Sequence, residues 1–259
     1  MDFVQTLEHH LIDHVFFQWK LGAASIPVSR LTVMMWISAA LAMIVLPLVA
    51  RSARSGRRTM ALSAVEGLVV FVRDEIVISN IGEEGRKYVP YFLSLFVFIL
   101  LVNLLGMVPL DALKVVGVRG VFGTATGNIA VTGGLALLTF LLINIAGIRE
   151  QGVVHYVKSL VPHGMPVWLL PLMYPIEVLG LLTKTFALCI RLFANMIAGH
   201  IVILAFLALI FLFHSLWIAP LSVAAAMGIN LLELFVAFLQ AYIFTLLSAI
   251  FVGGAIHSH

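Results

Sequence analysis

Two long apolar stretches in the last third of the chain contain polar and charged side chains of the kinds that carry or block protons. An ionisable side chain at the centre of a membrane helix costs about 2.5–3.5 kcal/mol on insertion scales, so each one is a functional candidate by default. The candidates are Glu177, Lys184, Arg191, Asn195 and His200 in residues 172–213, and Asn230, Glu233 and Gln240 in residues 216–256.

The spacing of the first group predicts which of its members share a helix face. Glu177, Lys184 and Arg191 follow one another at intervals of seven residues. A step of seven drifts by only about 20° around a helix, so these three align on one stripe, and Asn195 stays near it. His200 is nine residues beyond Arg191 and therefore lies about 180° away at about 100° per residue.

Arg191 has the chemistry of a barrier. Apolar residues flank it on both sides, so its side chain cannot easily extend to water. A guanidinium group is effectively never deprotonated in a protein, which makes it a poor proton carrier. We therefore expect a fixed charge that keeps a partner's carboxylate ionised. For Glu177 and Lys184, interface anchoring by extended side chains is the alternative.

His200 and Glu233 are complementary titratable groups on two stretches that can pack together. Burial or a charged neighbour can bring the pKa values of histidine and carboxylate into a range that suits proton transfer. Gln240 follows Glu233 by seven residues, and Asn230 precedes it by three. The pattern predicts a proton relay. The alternative is a core histidine bonded to a main-chain carbonyl.

The composition requires a membrane. The 259 residues are 62% hydrophobic and 10% charged, whereas soluble domains are about half apolar and a quarter charged. The net charge of +3 is too small for a nucleic-acid-binding surface. Cys189 is the single cysteine, and HExxH is missing, so we expect no metal site, no cofactor and no catalytic site in this chain.

The apolar segments predict a single all-α membrane domain over residues 1–259. A crossing needs about 20 apolar residues, and two of the stretches are about twice that length, so each is either a hairpin or one strongly tilted helix. We expect crossings at 31–50, 89–110 and 129–148, an interfacial amphipathic helix at 61–79, and the two long stretches at 172–213 and 216–256.

Basic residues predict the orientation, because they collect in short cytoplasmic loops. Residues 51–87 contain seven of them and are assigned to the cytoplasm. The N-terminal segment, residues 1–30, then lies outside. Five crossings place the C-terminus in the cytoplasm.

Three sequence motifs are similar to those of one known family. Residues 191–200 read RLFANMIAGH, residues 103–109 read NLLGMVP, and residues 239–244 read LQAYIF. Together they resemble subunit a of the membrane sector of rotary F-type ATP synthases. The resemblance implies a stator subunit that conducts protons through two offset half-channels to and from a rotating c-subunit ring, held by peripheral stalk b subunits.

The resemblance also implies roles for individual residues. Arg191 separates the half-channels and attracts the ring carboxylate, and the last two helices are long and tilted. Channel positions are Glu177, Asn195, His200, Asn230, Glu233 and Gln240, with weaker matches at Lys184, Asn103 and Asn128.

Two departures from the family pattern are visible. His200 and Glu233 are exchanged relative to many bacterial members, as in the mitochondrial arrangement. Residues 124–128 lack the acid that many relatives have before Asn128. We expect a bacterial inner membrane location, with the mitochondrial inner membrane as the alternative. The alternative function is a secondary ion or solute transporter, a class that usually shows paired repeats.

Overall fold

The computed structural model describes residues 15–21, 24–54, 60–107, 125–159, 169–213, 217 and 219–256. The predicted external residues 1–14, the end of the predicted crossing at 108–110, and the tail at 257–259 lie outside this set. The described chain begins with an antiparallel hairpin of β1, Val15–Leu21, and β2, Ala24–Ser29. The sequence analysis did not predict this hairpin.

Helices form nearly all of the remaining described chain. Residues Val72–Ile78 are π-helical, Ser79–Ile81 form one α-turn, and Glu83–Tyr88 form a 3₁₀ segment. A second 3₁₀ turn covers Ala125–Gly127. The helices are α1 Arg30–Arg54, α2 Met60–Phe71, α3 Val89–Met107, α4 Ile129–Gln151, α5 Val153–Ser159, α6 Leu170–Leu212 and α7 Ala219–Ile256.

The predicted class, an all-α integral membrane protein, is confirmed by the length and composition of these helices. Four described segments are long and apolar enough to cross a membrane, and the apolar part of α1, Leu31–Pro47, is shorter. The boundaries of the individual crossings stay predictions. The four segments are Glu83–Met107, Ile129–Gln151, Pro171–Ile210 and Ala219–Ile256.

Helices α6 and α7 are single continuous helices, which excludes the hairpin alternative for both stretches. They contain 43 and 38 residues, or about 65 and 57 Å of helix at 1.5 Å per residue. The hydrocarbon core is only about 30 Å thick. Each helix therefore fits a bilayer only by tilting strongly or by extending well beyond the core.

The chain forms two compact units. The first contains the described parts of residues 1–44, 98–128 and 193–240. Its apolar cluster joins Leu31 and Met34 of α1, Val102 of α3 and Ala125 of the second 3₁₀ turn, all of them buried. This cluster fixes the 3₁₀ turn against α3.

The second unit contains the described parts of residues 45–97, 129–192 and 241–259. The π-helical segment buries Val72 and Ile76 completely, and Gly253 of α7 lies so close to the carbonyl oxygen of Asn80 that no side chain fits between them. The Gln151 amide donates to the carbonyls of Ala255 and Ile256 at 2.9 and 3.1 Å. These bonds satisfy main-chain acceptors at the end of α7, which a helix terminus otherwise leaves free.

Candidate functional site

The first unit brings together the two titratable residues of the predicted relay. Nδ1 of His200, on α6, lies 2.9 Å from Oε1 of Glu233, on α7. The Glu233 side chain is 5% exposed and the His200 side chain 32% exposed. A carboxylate is thus enclosed beside an imidazole ring that keeps part of its surface accessible.

The His200 ring also contacts the main chain of its own helix. Its Nδ1 lies 3.0 Å from the carbonyl oxygen of Met196, one turn earlier. When Nδ1 carries the hydrogen, the N–H bond points to that carbonyl, so Oε1 of Glu233 is close to the ring without an aligned hydrogen bond. Within the described residues, Oε1 is buried and has no hydrogen-bond partner. The His200 ring therefore makes both predicted contacts: it lies beside Glu233, as a proton relay requires, and beside a main-chain carbonyl, as a core histidine would.

Gly199 makes room for the Glu233 carboxylate. A Cβ atom on Gly199 would lie 2.7 Å from Oε1 and 2.9 Å from Cδ of Glu233, closer than side-chain atoms pack. Small residues allow membrane helices to approach closely. In the first unit, glycine at this position lets the α7 carboxylate lie directly against α6.

Arg191 is placed differently from the His200–Glu233 pair. It belongs to the second unit, where α6 buries Leu188, Cys189 and Leu192, whereas Arg191 is exposed. Among the residues that the structure describes, no carboxylate forms an ion pair with its guanidinium. The alanine one turn earlier, Ala187, is exposed as well. The charge thus lies on an outer face of the chain beside a small residue.

The other predicted site residues are spread over both units. Glu177 and Asn195 are half-buried, Asn230 is exposed, and Gln240 is buried. Lys184 is exposed, and its Nζ lies 5.5 Å from the ring centroid of Phe251, a cation–π distance. In the described chain, only His200 and Glu233 among the predicted titratable residues contact one another as a pair.

Asn103 takes part in a contact that the sequence analysis missed. The hydroxyl of Thr126 donates to Oδ1 of Asn103 at 2.9 Å, and both side chains are fully buried. Asn128, two residues after Thr126, is half-buried, and its main-chain N–H donates to the Ala125 carbonyl at 3.1 Å. The only sequence signal for Thr126 was the absence of an acid in residues 124–128.

The described residues contain no group of three or more His, Cys, Asp or Glu side chains placed to hold a metal ion. Helices α6 and α7 instead carry the buried Glu233 carboxylate beside the partly exposed His200 ring, together with the exposed Arg191 and Lys184 and the half-buried Glu177. These features define a class: a multi-pass α-helical membrane protein with ionisable groups within its apolar helices. Residues 32–253 match the ATP synthase A chain family, and the chain belongs to that family.

Similar proteins from bacteria agree with this assignment. ATP synthase subunit a of Myxococcus xanthus is 48% identical, over 92% of this chain and 77% of its own length. The Chloroherpeton thalassium subunit a is 42% identical, over 96% and 75%. ATP synthase subunit a 2 of Prosthecochloris aestuarii is 45% identical, over 95% and 78%. The resemblance predicted from the three motifs is confirmed.

The close approach at Gly199 makes a testable prediction. In Gly199→Ala the new methyl group displaces the Glu233 carboxylate, and overpacking of about 1–3 kcal/mol lowers the thermal midpoint of the purified complex by roughly 2–10 °C. Gly228→Ala is the matched control, because a Cβ there meets nothing within 4 Å. Adding Glu233→Asp to Gly199→Ala shortens the acid and restores part of the loss. Equal midpoints for the two alanine variants would contradict the steric account.

Proposed function

We propose that this chain is the stator subunit of a rotary ATP synthase and conducts protons through two offset half-channels to and from a rotating c-subunit ring. Membership of the ATP synthase A chain family supports this proposal. The observation that carries it is the position of Arg191, an exposed cation on an apolar helix that forms no ion pair with any carboxylate in the described part of the chain.

Arg191 needs a partner from outside the chain. A cation at bilayer depth is costly, and within the described residues no carboxylate of the same polypeptide offsets that cost. A ring carboxylate that rotates past the exposed face supplies the opposite charge. At 4 Å and an effective dielectric constant of about 20, the attraction is about 4 kcal/mol.

That energy decides the direction of proton transfer at the ring. A stabilisation of about 4 kcal/mol lowers the proton affinity of the ring carboxylate about a thousandfold. The carboxylate must therefore release its proton as it approaches Arg191 and takes up another after it has passed. Because Arg191 itself keeps its charge, no proton crosses directly between the half-channels.

The His200–Glu233 pair serves one half-channel. Glu233 accepts a proton through a carboxylate oxygen, and the imidazole 2.9 Å away takes it over, since a histidine can bind at one ring nitrogen and release at the other. Asn195, Asn230 and Gln240 supply polar groups on α6 and α7 near this path. Glu177 lies toward the entry of the other half-channel, with Lys184 as a weaker participant.

The bacterial relatives and the apolar helices support a location in a bacterial plasma membrane, as a multi-pass protein. We propose the orientation given by the basic residues, with the N-terminus outside and the C-terminus in the cytoplasm. The c-subunit ring and the peripheral stalk b subunits are the protein partners. The long helices α6 and α7 tilt to follow the ring.

Removing the Arg191 charge tests the proposed barrier. In inverted vesicles, Arg191→Ala should lower ATP-driven proton pumping at least about a hundredfold, because the ring carboxylate keeps its proton. Passive proton leak through the membrane sector should be unchanged or higher. Arg86→Ala is the control, since Arg86 is an exposed arginine that pairs with Glu83. Normal pumping by Arg191→Ala would refute the proposal.

Exchanging the partners tests the relay. His200→Glu leaves two carboxylates and Glu233→His leaves two imidazoles, and each single variant should lose about tenfold or more of the passive proton flux. The double exchange restores one acid and one base, so its flux should exceed that of both singles. The measurement is proton uptake into vesicles stripped of the catalytic sector, driven by a potassium diffusion potential. A double variant no better than the singles would contradict the relay.

A further inference from the structure

A second buried polar pair lies in the first unit. Asn103, on α3, accepts a hydrogen bond from the Thr126 hydroxyl at 2.9 Å. Their chain neighbours Val102 and Ala125 belong to the apolar cluster that also includes Leu31 of α1. The cluster holds the two polar side chains opposite one another, and both side chains are fully buried in the described chain.

The Asn103 amide has unused hydrogen-bonding capacity. Thr126 occupies Oδ1, which leaves the two N–H groups of Nδ2 as donors. Nδ2 is buried and, in the described part of the chain, has no hydrogen-bond partner. A buried donor without a partner destabilises the folded protein, and buried polar groups that lack a protein partner typically bind an ordered water molecule.

The position of Asn103 connects this amide to the acid–base pair. Asn103 and Gly106 are three residues apart on α3, a spacing that places them on the same helix face. The main chain of Gly106 approaches the His200 ring. Asn103 therefore lies on the same α3 face as Gly106, which meets the relay histidine.

We infer that Thr126 is a positioning residue, whose hydroxyl fixes the Asn103 amide so that Nδ2 binds one water molecule on the path to His200 and Glu233. The inference rests on the proposed function. Nδ2–H donates to one lone pair of the water oxygen. The other lone pair accepts a proton from the aqueous side, and a different proton leaves toward the relay, so the water is regenerated and the amide stays neutral.

The Thr126 hydroxyl is the group to test, because a methyl group in its place leaves the shape of the side chain nearly unchanged. Thr126→Val removes the hydroxyl at nearly constant volume, and Thr126→Ser keeps it. In vesicles that contain the complete membrane sector, passive proton flux should fall about tenfold in Thr126→Val, the equivalent of one hydrogen bond. Thr126→Ser should stay within about twofold of the parent. Equal flux in the two variants would overturn the inference.

A wet site is also testable by thiol chemistry, which remains informative if Thr126→Val fails to assemble. In a Cys189→Ala background, Asn103→Cys should be modified by Ag⁺ and lose flux, because a thiolate forms only next to water. Ile99→Cys is the matched control, since Ile99 is equally buried on the same helix. An unreactive thiol at position 103, or equal reactivity at both positions, would overturn the inference.

The outcomes separate this inference from the proposed function. If Arg191→Ala abolishes pumping but Thr126→Val conducts like Thr126→Ser, only the water site is wrong. If Arg191→Ala pumps normally, the proposed function fails whatever the Thr126 variants do.

Discussion

A permanent cation on an apolar helix is the constraint on which the rest of the structure depends. Arg191 cannot discharge, and in the described chain it has no carboxylate of its own polypeptide. The buried face of α6 next to it is apolar apart from the thiol of Cys189 and includes Leu188 and Leu192, so the charge is directed outward. A charge of this kind is costly at bilayer depth, and another molecule that provides the opposite charge offsets that cost.

The His200–Glu233 pair follows the opposite design. Its acid is enclosed and contacts the base within the same polypeptide, and Gly199 allows the contact by giving up its side chain. A buried charge whose partner is present can exchange a proton with that partner. An exposed fixed charge attracts an oppositely charged group of another molecule, which can bind and leave. A translocating subunit needs both functions, and each follows from burial and pairing.

The sequence predicts the helix face on which a residue lies better than it predicts contacts between helices. Composition gave the membrane class, and spacing placed Arg191 and His200 on different sides of α6. The length of the apolar stretches did not decide whether α6 and α7 are hairpins or single helices, because an apolar stretch without a polar turn is compatible with both. The β1–β2 hairpin was missed in a segment for which the sequence analysis predicted only a side of the membrane.

Thr126 shows why part of the site was invisible in the sequence. Its hydroxyl is neutral, and its partner Asn103 is 23 residues away in the chain, so neither periodicity nor charge connects the two. Only the apolar cluster of Leu31, Val102 and Ala125 brings them together. A polar contact set by packing of distant segments requires coordinates, whereas an ionisable residue in an apolar stretch is evident from its composition.

The outward direction of α6 beside Arg191 is tested most directly by disulfide crosslinking to the proposed c-subunit ring. Ala187→Cys and Leu188→Cys, each in a Cys189→Ala background, are adjacent positions that differ in exposure. With a cysteine placed next to the ring carboxylate, the account predicts a crosslink from position 187 and little or none from position 188. Equal crosslinking from both positions, or a crosslink from 188 alone, would contradict it.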